Sequence, residues 1–133
     1  HGIGRLDEAI ASFDRAIALE PDYPVTHYDR ATSLYASGRV EEALAGYDRT
    51  IALAADFSPA HLNRGAALQQ LGRLDEALKG FDRAIACDAE TAAAHKGRAA
   101  VLDALGRAEE ARESRERAAE IEAKTAPSKP ATP

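Results

Sequence analysis

The chain has 133 residues, of which 45% are hydrophobic but only 5% aromatic, and its net charge is −5. With no strongly basic segment, nucleic acid and acidic membrane surfaces are excluded as expected partners, and the apolar runs are too short to span a bilayer. The Ala-rich composition suits close-packed helices rather than a β-rich core.

Residues 1–23 carry Gly4-Arg5-Leu6-Asp7, then Glu8-Ala9 and Phe13-Asp14-Arg15-Ala16-Ile17. The same elements return 34 residues later as Gly38-Arg39-Val40-Glu41 and Tyr47-Asp48-Arg49-Thr50-Ile51. They return again as Gly72-Arg73-Leu74-Asp75 and Phe81-Asp82-Arg83-Ala84-Ile85, and a last time as Gly106-Arg107-Ala108-Glu109. A fixed period of this length marks a stacked-repeat architecture, here all-α. Residues 1–23 supply only the second helix of an incomplete first repeat, so Leu6, Ile10, Phe13 and Ile17 are expected to be half uncovered. The absence of Met and the opening His1 lead us to expect an excised piece of something longer, with His1-Gly2 a candidate tag remnant.

Residues 24–57 form the next period. His27, Ala31, Leu34 and Tyr35 lie three or four apart, on one helical face. Gly38 supplies the left-handed residue that closes this helix. A second helix follows, with Glu41 and Glu42 at its positive end and a stripe of Val40, Ala43, Leu44, Tyr47 and Ile51. Residues 58–91 repeat the pattern, opening with Ser58 as an expected N-cap and Pro59 at the first helical position.

Residues 92–125 change character in their second helix. Arg115 stands where Phe13, Tyr47 and Phe81 stand, and Arg112 replaces Ile or Leu. Opposite charges four apart, Glu113–Arg117 and Glu120–Lys124, are expected to pair, which predicts a polar C-terminal capping helix. Residues 126–133 hold three prolines and predict a flexible or polyproline-like tail.

Several residue groups bear on chemistry. His27, His61 and His95 recur once per period, which separates them by about a helix-packing distance, on the order of 10 Å, and disfavours a shared metal. Acidic pairs repeated four times mark helix starts rather than a catalytic site. The single Cys87 shares a column with Leu19, Leu53 and Ile121 and reads as a buried thiol. One cysteine forms no internal disulfide and fits a reducing, cytoplasmic setting. No cofactor motif and no nucleophile–base constellation is present, so no enzyme is expected. Asp14–Arg30, Asp48–Arg64 and Asp82–Arg98, each 16 residues apart, are expected to bridge successive repeats.

The pattern resembles the tetratricopeptide repeat family. The match runs through His61, Gly65, Leu68, Ala77 and Phe81, and through His27, Ala31, Leu34, Ala43 and Tyr47. In the first copy only Ala9, Phe13 and Pro21 match. The departures are His in place of the frequent Trp, Arg30, Arg64 and Arg98 in place of Leu, and Ala55 and Ala89 in place of the closing Pro. The resemblance covers about residues 3–125 and implies a right-handed α-solenoid of about three and a half repeats.

It also implies a concave groove, lined by the first helices, that takes a peptide or a partner helix. The groove positions are then Tyr28, Leu62 and Lys96; Asp29, Asn63 and Gly97; Thr32, Ala66 and Ala100; and Tyr35, Gln69 and Asp103. Co-chaperone repeats of this family clamp an acidic C-terminus with Lys, Asn and Arg, a set that only Asn63 fits. An asparagine ladder like that of O-linked N-acetylglucosamine transferases is reduced to Asn63, flanked by Asp29 and Gly97. The expected function is a protein-interaction scaffold. The alternatives are a substrate-recruiting segment of a larger enzyme, such as a glycosyltransferase, and self-assembly through Leu6, Ile10, Phe13 and Ile17.

Overall fold

The computed structural model describes residues 2–126, and the tail expected over 126–133 therefore lies almost wholly outside the described residues. Those residues form seven α-helices: α1 (Gly2–Leu19), α2 (Pro24–Ala36), α3 (Val40–Leu53), α4 (Ser58–Gln70), α5 (Leu74–Cys87), α6 (Ala92–Ala104) and α7 (Ala108–Thr125).

The turns within each hairpin share one design. Gly38, Gly72 and Gly106 have φ of +86°, +77° and +78°, a conformation that costs a side chain about 1–2 kcal/mol. Gly38 N–H donates to Tyr35 O at 3.0 Å and Arg39 N–H to Leu34 O at 2.9 Å. These two bonds satisfy carbonyls that the end of α2 would otherwise leave open. Directly after the turn, Glu41 and Glu42 begin α3, as Asp75 and Glu76 begin α5 and Glu109 and Glu110 begin α7.

The turns between hairpins are held differently. His27, His61 and His95 each place Nε2 on the carbonyl six residues upstream, Pro21 O at 2.7 Å, Ala55 O at 2.8 Å and Ala89 O at 3.1 Å. Each histidine thus tethers the preceding loop. Ser58 was expected to cap α4, but the cap position falls on Phe57 and carries no side-chain cap bond. The Ser58 hydroxyl instead donates to Ala84 O at 3.3 Å, tying α4 to α5.

Packing is local along the chain. Among the described residues every helix packs on its neighbours in sequence, α4 also touches α2 and α6, and no helix touches one more than two places away. This is the quasi-one-dimensional arrangement of an α-solenoid. Backbones approach closely where glycines meet: a Cβ on Gly80 would stand 3.0 Å from Gly65 Cα, across the α4–α5 crossing.

The aromatic column reports how much cover each position receives. Tyr47 and Phe81 are 1% and 2% exposed, each between two first helices, whereas Phe13 is only half-buried. Ile10, expected to be half uncovered, is 6% exposed and packs with Ala31, Leu34 and Tyr47. Leu6 and Ile17 are half-buried, and among the described residues the most open large apolar side chain is Leu19, at 84%. Cys87 is half-buried rather than enclosed, because its column lies in the last turn of the second helices, where cover is uneven.

The three Asp–Arg bridges form as expected. Arg30, Arg64 and Arg98 each donate Nε to Asp14, Asp48 and Asp82 at 2.6 Å. The aspartates are about half exposed, so each bridge contributes under about 1 kcal/mol and acts mainly on stacking geometry. On α7 the expected pairs are replaced. Arg117 reaches Glu90 and Glu120, both at 3.2 Å, and Arg112 lies 3.4 Å from Glu109 and 4.0 Å from Glu116.

Candidate functional site

The groove residues of the sequence resolve into two separate hollows. The first is a cavity of about 200 Å³ lined by Thr32, Tyr35, Tyr47, Asn63 and Ala66, where α2, α3 and α4 meet. Its polar atoms are already oriented. Asn63 Nδ2 donates to Tyr28 Oη at 2.9 Å, and the Thr32 hydroxyl meets Tyr47 Oη at 3.0 Å while donating to Tyr28 O. Tyr28 also stacks obliquely on Phe57 and Tyr47, with ring centroids 5.2 and 5.8 Å away.

Burial holds the Tyr47 phenol above its ordinary pKa, with the bond to Thr32 pulling the other way. The phenol is therefore a neutral hydrogen-bonding group at physiological pH. Tyr47 is the residue that sequence reasoning missed here. It had been assigned to the packing stripe, yet its hydroxyl lines the cavity. The available signal is that Tyr47 alone carries a hydroxyl in a column otherwise holding Phe13, Phe81 and Arg115.

The second hollow, of about 440 Å³, lies between α6 and α7 and takes Lys96, Ala100 and Asp103 away from the first. Ala99, Ala118 and Ala119 floor it. Lys96 is paired with Glu122 at 2.6 Å and Asp103 with Arg115 at 2.5 Å. Tyr28, Asp29, Leu62 and Gln69 border neither cavity; Tyr28 reaches the first through its bond to Asn63, and Leu62 packs against the cluster around Phe81. Gly97, grouped with Asn63 in the sequence, plays a packing role: a Cβ there would run into the Phe81 ring.

Outside the groove, the Gly-Arg-x-x-Glu element that begins α3, α5 and α7 has a geometry the sequence reading overlooked. Arg39 grips Glu42 with Nε and Nη2 at 2.8 and 2.7 Å. Arg73–Glu76 and Arg107–Glu110 repeat this fork. Hydrogen bonding to the guanidinium lowers the pKa of Glu42, Glu76 and Glu110. Among the described residues no group of three His, Cys, Asp or Glu side chains could hold a metal ion, and no helix is long and apolar enough to cross a membrane.

Comparison with known proteins is consistent across sequence and fold. Family models described as tetratricopeptide repeat match residues 4–63 and 58–90. No curated protein matches the chain. Among solved structures, a crystal structure of MamA superposes with a TM-score of 0.86 at 21% identity, over 92% of this chain and 71% of that one. MamA from Desulfovibrio magneticus RS-1, residue 41 to the end, gives 0.84 at 20% identity, over 92% and 69%. The second TPR of Spaghetti (RPAP3), bound to the HSP90 peptide SRMEEVD, gives 0.72 at 26% identity, over 74% and 91%. Paired helices at a 34-residue period, glycine-closed hairpins and neighbour-only packing agree with these matches: the chain belongs to the tetratricopeptide repeat family and has its right-handed solenoid fold.

Proposed function

We propose that the chain is a protein-interaction module that takes an extended peptide or a partner helix in its groove, and that its repeats divide at 24–57, 58–91 and 92–125. The observation that carries this reading is the cavity at Thr32, Tyr35, Tyr47, Asn63 and Ala66. It combines aromatic area with an amide and hydroxyls that donate and accept, the mixture that holds a peptide backbone. Thr32 and Tyr47 bond to each other, Asn63 bonds to Tyr28, and no acid–base pair lines the cavity, which favours binding over catalysis. The RPAP3 relative, solved with a peptide, supports the same use of the fold.

Tyr28, Thr32, Tyr35, Asn63 and Ala66 form the core of the proposed site. Asp29, Leu62 and Gln69 are assigned to its margin, and Lys96 and Asp103 to an outer portion whose charges are internally paired. Self-association through α1 is a weaker reading, because Ile10 is buried within its own chain and leaves Leu6, Phe13 and Ile17 half-buried.

The test selects peptides from a random library against the wild-type chain and measures them against the Asn63→Ala/Tyr35→Ala variant. Affinity is expected to fall about tenfold or more, the equivalent of roughly 1.4 kcal/mol. Equal affinity for both forms removes the groove assignment.

A further inference from the structure

On the far side of α4, a hollow of about 380 Å³ lies where α3, α4 and α5 meet. Arg64 lines it and stands about 200° round the helix from Ala66, which lines the first cavity, so the hollow faces away from the groove. Its lining holds three cations, Arg64, Lys79 and Arg83, against one carboxylate, Asp48, in a chain whose net charge is −5.

The repeats provide internal controls. In the last repeat, Arg98 bonds Asp82 through Nε, donates Nη1 to Ser114 Oγ at 2.7 Å, and lies 4.0 Å from Glu110. Arg64 bonds Asp48 through Nε in the same way, but Gly80 occupies the position of Ser114 and offers no hydroxyl. Arg83 differs from two of its three counterparts. Arg49 is 3.5 Å from Asp22 and Arg117 is 3.2 Å from Glu90, whereas Arg83, like Arg15 in the incomplete first repeat, has no carboxylate within 4.0 Å among the described residues. Lys79 is also unpaired there, and it stands where the neighbouring repeats have Ala45 and Glu113. Only the middle repeat therefore combines an open guanidinium edge with two uncommitted cations.

We propose that this hollow binds a phosphate group, supplied as free phosphate or as a phosphorylated side chain of a partner. The lining's three positive charges and one negative leave about +2, with nearby Glu76 already held by Arg73, and this matches the −1.5 to −2 of a phosphate monoester at pH 7. A single carboxylate would neutralise half of it. Arg64 offers a planar fork of N–H donors, and Lys79 and Arg83 add charge-assisted bonds from α5. The site stands apart from the groove, so the two proposals fail independently.

The experiment titrates the full chain with inorganic phosphate and with O-phosphoserine at constant ionic strength, following backbone amide shifts, with acetate as control. Saturable shifts centred on Lys79, Gly80 and Arg83 are expected. Lys79→Ala/Arg83→Ala should weaken binding about tenfold or more, while Arg49→Ala, which removes a paired cation, leaves it unchanged. Tighter phosphoserine binding supports a presented phosphate, and tighter inorganic phosphate binding a free one. The proposal is overturned by the absence of saturable shifts, by equal binding of acetate, or by undiminished binding in a double variant whose circular dichroism shows it folded.

Discussion

Asn63 and Tyr28 lie 35 residues apart in sequence, yet Asn63 Nδ2 donates to the Tyr28 hydroxyl at 2.9 Å and joins α4 to α2. The bond spans one full period plus one residue, so it links first helices of successive repeats beneath the groove. A double-mutant cycle with Asn63→Ala and Tyr28→Phe should give a coupling energy of about 0.5–1.5 kcal/mol by urea unfolding. Additivity within about 0.3 kcal/mol shows instead that the bond contributes nothing.

The aromatic column makes a graded prediction. Phe81, at 2% exposure, should cost about 3–5 kcal/mol when replaced by Ala. Phe13 is half-buried, so Phe13→Ala should cost roughly half as much by area. Chemical denaturation of the two variants side by side checks this, and equal losses would mean that cover by a first helix is not what distinguishes them.

Gly38 and Gly97 should fail for different reasons. Gly38→Ala places a side chain at φ +86°, at a cost of about 1–2 kcal/mol. Gly97→Ala puts a methyl into the Phe81 ring, an overpacking cost of about 1–3 kcal/mol. Adding Phe81→Leu should relieve Gly97→Ala in a thermodynamic cycle and leave the penalty of Gly38→Ala unchanged. Relief of both, or of neither, would contradict the assignment.

Stability should also respond to acid through the Arg–Glu forks. Glu42, Glu76 and Glu110 have lowered folded-state pKa values because Arg39, Arg73 and Arg107 hydrogen-bond the charged carboxylate. The native state therefore binds their protons less readily than the unfolded chain. Their contribution is complete above the ordinary carboxylate pKa and is lost as pH falls through the lowered values. In carboxyl-carbon NMR titrations, Arg39→Gln should raise the midpoint of Glu42 and leave Glu76 and Glu110 in place. An unmoved Glu42 midpoint would exclude the fork as the cause.

Most of the fold is legible in the sequence because its determinants are local and repeated. Gly38, Gly72 and Gly106 are spaced by the period, and each takes the positive φ that the hairpin requires. The Asp14–Arg30 family of bridges is legible too, since one spacing recurs three times. The candidate site is less so. Asn63 and Tyr28 are both groove candidates, but their pairing depends on the stacking angle, which no single period encodes. Gly97 shares a column with Asn63, yet its role is set by the Phe81 ring beneath it. Arg117 has two acids in reach along α7, and the structure adds Glu90 from a loop that is distant in sequence. Side-chain choice among such rivals is a tertiary property.

Because no helix touches another more than two places along, nothing among the described residues clasps the first helix to the last. Under tension the polypeptide should lengthen in steps, shedding one hairpin at a time, as a coil spring yields before it snaps. Compliance of that kind would let the inner wall open or tighten around guests of different girth without loss of the remaining turns.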